Sequence, residues 1–184
     1  LLDGLKDGTV DYIATDHAPH RICEKLGRYQ PIEIQKKLSQ LSSMSLEEIE
    51  ELDQICIKNF EELKKSDPER FSGLADDNGV SGTSQLDTYG AFTTWLMKEQ
   101  DFTPEQVAQV TAFNPGEFVN QFDTTPVKFG KVAEGYAASF TVINPEKSWT
   151  VANADIKSRS GWSPFDGETF PGSVTVAFHL GKKL

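Results

Sequence analysis

The sequence predicts a mixed α/β protein on three observations: a β-branched run near the start that ends in a cluster of reactive side chains, a long helical middle, and a strand-rich last third. The chain has 184 residues, 38% hydrophobic and 25% charged, the composition of a folded protein with a core. Its net charge is −10 and no basic stripe offsets it, so neither nucleic acid nor an anionic membrane surface is an expected partner. No apolar run approaches the roughly 20 residues that a membrane helix requires. Cys23 and Cys56 lie far apart without C-x-x-C spacing, so they read as reduced thiols, and the cytoplasm is the expected compartment. The opening Leu1-Leu2-Asp3-Gly4-Leu5 has the look of a helix interior, and the chain is expected to begin within a longer protein.

Residues 8–15, Gly-Thr-Val-Asp-Tyr-Ile-Ala-Thr, are rich in strand-forming types and predict a buried strand that ends at Asp16. The stretch from Asp16 to Pro31 holds Pro19, Gly27 and Pro31 without apolar periodicity, so it reads as loop at the carboxyl end of that strand. From Ile32 the pattern turns helical. Ser45 and Glu48 form a capping box ahead of Ile49, Leu52, Cys56, Phe60 and Leu63, whose spacing places all five on one helix face. Residues 45–77 hold 11 acidic and 4 basic groups, the acidic centre of the chain, and the ordinary reading of such a run is a solvated helix face.

Asp76-Asp77-Asn78-Gly79 is a turn cluster that extends to Gly82, before a helix expected from about Gln85 to Lys98. Thr103-Pro104-Glu105-Gln106 combines an N-cap, a proline at the first helical position and a capping-box glutamine. Asn114-Pro115 suggests a second start of the same kind, for a short helix ending near Gln121. After Pro126 the chain becomes strand-like. Strands are expected within 130–135, at 139–143, at 149–151 and at 174–178, with a turn-rich segment at 162–167. The net charge of residues 126–184 is +2, unlike the acidic part before it, so a boundary is expected near residue 126, with domains 1–125 and 126–184.

The densest reactive cluster is Thr15-Asp16-His17-Ala18-Pro19-His20, a carboxylate and two imidazoles within five positions at a strand end, the place where α/β architectures handle ligands. A carboxylate there can bind a metal and accept a proton from metal-bound water, because both tasks use an exposed lone pair. A catalytic zinc takes about three protein ligands plus water, and His17 and His20 lack the i, i+4 helical spacing of a zinc pair. The residues alone leave open the alternative of a loop-capping aspartate with two histidines that hold backbone. His179, on a predicted strand, reads as a structural or surface residue.

The stretch from Asp3 to His20 closely resembles the last barrel strand of the dihydroorotases, in the amidohydrolase superfamily. Asn78-Gly-Val-Ser-Gly82 resembles the glycine loop that closes over substrate in that family, and Thr111-Ala-Phe-Asn-Pro-Gly116 the segment leading into its last helix. Gly130 to Tyr136 and Lys157 to Gly167 are similar to its returning β-sandwich. The resemblance implies the carboxyl-terminal part of a (β/α)8 barrel followed by part of a small β-sandwich. It implies a centre of two zinc ions and the reversible cyclisation of N-carbamoyl-L-aspartate to L-dihydroorotate in pyrimidine synthesis. Carried over position by position, it makes Asp16 a metal-bound carboxylate that moves the proton between a bridging hydroxide and the ring amide. His20 would hold the substrate carboxylate, the backbone of Asn78 and Gly79 would contact the ring, and His17 and Pro19 would pack the motif. The family's other zinc ligands, a His-x-His pair, a carbamylated lysine and two more histidines, come from earlier strands and are not in these 184 residues. A complete barrel needs roughly 250 residues, so the expected partner is the amino-terminal part of the same protein, and the chain by itself is expected to be inactive. A homodimer or aspartate transcarbamoylase is a further candidate partner.

Residues 23–77 make a longer link between the histidine motif and the glycine loop than the family usually has, so the helix near 46–65 reads as an insertion beside the site mouth. Asn78 stands where many relatives have an apolar or aromatic residue, and Ala137 and Ser139 replace acidic residues common after the Gly-Tyr pair. Two other readings are a neighbouring cyclic amidohydrolase, such as a dihydropyrimidinase or allantoinase, and a non-catalytic scaffold for aspartate transcarbamoylase. His20 separates the first, since a substrate carboxylate calls for a cationic or donor side chain there. Asp16 and His20 together argue against the second, because a scaffold has no chemical need for either.

Overall fold

A computed structural model describes residues 1–67 and 82–184. Its contacts fall into two units that do not follow chain order. One comprises Leu1–Thr15, Leu86–Val151 and Phe165–Leu184; the other comprises Asp16–Gln85 and Ala152–Pro164.

The first unit opens with α1 (Leu2–Asp7), which closes on Gly8 in the left-handed conformation that a residue without Cβ adopts at a helix end. Residues 8–15, expected to be a buried strand, join no ladder, and of these residues Gly8, Thr9, Asp11, Tyr12 and Ala14 are exposed. The physical reason lies in their hydrogen-bond partners. Ile13 donates its N–H to the Val110 carbonyl at 3.1 Å, and its own carbonyl accepts from the Tyr89 hydroxyl at 3.1 Å, so helix-borne groups stand where a neighbouring strand would be. Ile13 packs with Leu2, Leu5, Phe92, Trp95 and Met97 around buried Leu96, Phe102 and Val107. Burying one such large side chain contributes about 1.5–3 kcal/mol.

Helix α5 (Tyr89–Glu99) follows a 3-10 turn at Leu86–Thr88, four residues later than the start expected near Gln85. Helix α6 (Pro104–Ala108) begins at the expected capping box, with Thr103 Oγ1 accepting from the Gln106 N–H and Gln106 Oε1 accepting from the Thr103 N–H. Asn114 does not start a separate helix. A π-helical turn, Gln109–Phe113, joins α6 to α7 (Asn114–Asn120) without a break. Pro115 has no N–H for the Thr111 carbonyl, so the α-helical ladder cannot pass this point in register, and a wider turn accommodates the defect. The Asn114 side chain instead donates to the Asp11 carbonyl at 2.6 Å.

Residues 130–135, expected as a strand and turn, are a loop pinned to α7. Asn120 Nδ2 donates to the Phe129 carbonyl at 3.1 Å, and Asn120 Oδ1 accepts the Phe129 N–H at 3.0 Å. The backbones of Gly116 and Gly130 meet so closely that a Cβ on Gly116 would stand 2.5 Å from Gly130 Cα. Beyond it, β1 (Phe140–Asn144), β4 (Ser173–His179) and β5 (Lys182–Lys183) form an antiparallel sheet in the order β1-β4-β5. A bulge between Val142 and Ile143 shifts the β1–β4 register. A two-stranded sheet pairs β2 (Trp149–Thr150) with β3 (Thr169–Phe170). His179 is exposed at the end of β4.

The second unit is built on α2 (Ile22–Leu26), α3 (Ile32–Leu38) and the 21-residue α4 (Leu46–Ser66). The capping box starts α4 as expected: Glu48 donates its N–H to Ser45 Oγ at 3.3 Å, and Ser45 donates its N–H to Glu48 Oε2 at 2.7 Å. The expected apolar face is the inner one, with Leu52 and Cys56 buried and Ile49, Phe60 and Leu63 half-buried. Cys23, Leu52 and Cys56 form the centre of this core, under Leu26, Ile34, Leu38, Leu41 and Met44. Among the described residues no helix is long and apolar enough to cross a membrane.

Candidate functional site

The reactive cluster opens the second unit, and its backbone explains its shape. Asp16 has φ 46°, a left-handed conformation that aspartate tolerates better than most side chains. The chain then lies beside the end of the glycine-containing segment: His17 and Thr83 form a parallel bridge, in which Ala18 donates its N–H to the Thr83 carbonyl at 3.0 Å. Gly82, at φ +81°, sits against Ala18, where a Cβ would overlap the alanine methyl. The two motifs that the sequence separates by some sixty positions therefore run side by side. Asn78 and Gly79, expected to contact substrate, lie outside the described residues.

The three polar side chains of the cluster have different tasks. The Asp16 side chain is exposed and accepts no hydrogen bond among the described residues, so its lone pairs are open to solvent. His17 Nδ1 accepts the Gln85 N–H at 3.2 Å, which places the proton of the neutral ring on Nε2 and makes this histidine a tie between the two motifs. His20 keeps 36% of its side chain exposed, with Nδ1 3.8 Å from Glu24 Oε2. Glu24 Oε2 also accepts the Arg21 N–H at 2.8 Å, which caps the start of α2.

Residues 152–164 hold this turn from another side, a placement that the turn-rich composition of 162–167 did not indicate. Trp162 Nε1 donates to the His20 carbonyl at 2.7 Å, and Arg21 Nη1 donates to the Arg159 carbonyl at 2.6 Å. Buried Ser160 donates to buried Ser84 at 2.8 Å, next to the bridged Thr83. Lys25 donates to the Gly82 carbonyl. A lone tryptophan with a polar ring nitrogen in a polar loop was the one signal available in the sequence. A cleft of about 940 Å³ opens between α2, α4 and residues 158–163, with Ile22, Ile57 and Phe60 on its wall. Asp16, His17 and His20 are not among the residues that line it, whereas Arg21 and Trp162, which hold the turn, are.

Zinc is the metal that the sequence resemblance implies. A zinc site gathers three or four donors. Among the described residues no three His, Cys, Asp or Glu side chains converge, and the Nδ1 atoms of His17 and His20 already face Gln85 and Glu24. Asp16 offers one exposed carboxylate, and the described residues by themselves do not fit a zinc ion.

The thiols are chemically quiet. Burial pushes Cys23 well above the usual thiol range, helped by its hydrogen bond with Asp53, and burial raises Cys56 from 9.0 to about 11.

No family model matches the chain. It is 27% identical over 180 residues to a dihydroorotase of Syntrophus aciditrophicus, an alignment that covers 98% of this chain and 30% of the relative. A dihydroorotase of Desulfotalea psychrophila is 28% identical over 183 residues, covering 100% of this chain and 31% of the relative. The chain resembles dihydroorotases. The resemblance runs along its whole length, as expected from the Asp3–His20 stretch and the later motifs, and the chain spans about 30% of the length of these curated relatives. Among solved structures, L-hydantoinase (dihydropyrimidinase) from Arthrobacter aurescens superimposes with a TM-score of 0.50 at 18% identity, over 57% of this chain and 23% of that one. That likeness concerns the fold alone: a mixed α/β architecture similar to part of this enzyme.

Proposed function

We propose that the chain is the carboxyl-terminal portion of a dihydroorotase, acting in the reversible cyclisation of N-carbamoyl-L-aspartate to L-dihydroorotate. The observation that carries the reading is the placement of the Asp16–His20 turn against Gly82 and Thr83, in a chain whose full length aligns with dihydroorotases. Asp16 supplies an exposed carboxylate that in ring opening accepts a proton from the attacking water and passes it to the departing amide nitrogen. In closure it takes the proton from the attacking nitrogen and gives it to the oxygen that leaves as water. His20, half exposed and backed by Glu24, binds the substrate carboxylate as a donor. Asn78 and Gly79 are proposed to meet the ring through their backbone.

The reading places barrel strands and zinc donors in polypeptide beyond this chain, with Asp16 as one oxygen donor to that metal. When bound, zinc would polarise the amide carbonyl and lower the pKa of water. The domain division at residue 126, a cytoplasmic location, and a homodimer or aspartate transcarbamoylase as partner belong to the same proposal.

The test is ring opening of L-dihydroorotate by the whole protein that contains this chain, compared with the chain alone. Activity in the whole protein, none in the chain alone, and no turnover of dihydrouracil or hydantoin supports the reading. Turnover of the uncharged rings in preference to dihydroorotate would move the protein to the dihydropyrimidinases. No turnover of any of them would leave the scaffold.

A further inference from the structure

The acidic helix α4 is not only a solvated face. Among its carboxylates Asp53 is buried, 7% exposed, on the same inner face as Leu52 and Cys56. Its Oδ2 accepts from Arg21 Nε at 3.0 Å and its Oδ1 accepts the Cys23 N–H at 2.9 Å, so one carboxylate holds both the side chain and the backbone at the start of α2. Arg21 follows His20 directly and spends a second arm on the Arg159 carbonyl. Trp162, three residues after Arg159, anchors the His20 carbonyl itself. A continuous set of hydrogen bonds thus runs from Asp53 through Arg21 to the loop at 159–162 and back to His20.

We propose that Asp53 is a positioning residue for His20. It rests on the dihydroorotase reading only for what His20 binds; the positioning stands on geometry. The planar guanidinium is rigid, and a carboxylate that fixes Nε leaves Nη1 one direction in which to reach Arg159. Removing the Asp53 charge frees that fork, loosens the Arg159–Trp162 loop, and lets the His20 carbonyl and ring move together. Helix α4, in the long link between the histidine motif and the glycine loop, then contributes to substrate binding through Arg21 and the loop at 159–162.

The experiment compares wild type with Asp53→Asn, which keeps the shape and loses the charge, and with the double variant Asp53→Asn/Arg21→Gln. The double variant leaves no unpaired buried charge, and it is read in place of the single variant should that one fail to fold. The first readout is the Trp162 indole N–H resonance in the 184-residue chain, assigned by Trp162→Phe. The expected result is a clear displacement of that resonance and faster amide exchange at residues 20–23, while the Leu96–Phe102 core of the other unit is unchanged. The second readout is steady-state kinetics of the whole protein on dihydroorotate, where KM should rise about tenfold and kcat stay within about twofold, the pattern of lost uniform binding. An unmoved indole resonance in a folded variant overturns the proposal, as does a fall in kcat with KM unchanged. A wild-type protein without dihydroorotate turnover sinks the functional reading instead, and the indole resonance then still decides whether Asp53 sets the turn.

Discussion

Gly82 lies against Ala18 with φ +81°, and a Cβ in its place would sit in the alanine methyl and 3.3 Å from the Ala18 Cα. This contact lets the Asp16–Ala18 backbone and the Gly82–Thr83 backbone run side by side, so the proposed site depends on a residue that carries no side chain at all.

Gly82→Ala is therefore expected to be destabilising twice over, through the left-handed backbone and through overlap with Ala18. The cost should be about 1–3 kcal/mol, seen as a lower denaturant midpoint. Alanine at Gly8, which has the same left-handed sign but nothing within 4 Å, should cost only the backbone part, so the difference between the two variants isolates the contact.

Thr94 tests the other unit. Its hydroxyl donates to the Ala91 carbonyl at 2.6 Å and accepts the buried Gly172 N–H at 2.9 Å, tying α5 to the turn before β4. Thr94→Val keeps the shape and orphans that N–H, so a loss of about 1–3 kcal/mol is expected in chemical denaturation.

The thiols give a pH dependence with a definite sign. Cys56 is raised from 9.0 to about 11 in the folded chain, so the folded state resists ionisation that the unfolded state undergoes freely. Its contribution to stability is complete below pH 9 and is lost as pH rises through about 11. Denaturation curves should show stability falling between these values, and Cys56→Ala should flatten that fall. At neutral pH both thiols should resist alkylation until the chain unfolds.

Much of this was legible where the controlling interaction is local. The capping boxes at Ser45–Glu48 and Thr103–Gln106 act within four residues, so sequence spacing was enough. The strand-forming residues at 139–143 and 174–178 marked β1 and β4, which form at Phe140–Asn144 and Ser173–His179 because each is the other's partner. Residues 8–15 have strand-forming side chains, but a ladder needs a partner strand, and Val110 and Tyr89 take the backbone of Ile13 instead. Asp53 was hidden inside an acidic run, since nothing in the spacing of carboxylates tells which one faces Arg21. The approach of Trp162 to His20 joins residues 142 positions apart, which no periodicity reveals. Asp16 and His20 stood out as a cluster, and the structure adds their backbone setting.

The most direct test is the rate of dihydroorotate ring opening by the whole protein carrying Asp16→Asn, because asparagine also tolerates the left-handed φ and leaves the turn in place. Loss of a positioned proton carrier predicts a drop in kcat of about 10²–10⁴-fold with unaltered thermal stability. A rate close to wild type in that variant would contradict the role of Asp16, and with it the chemistry assigned to the Asp16–His20 turn.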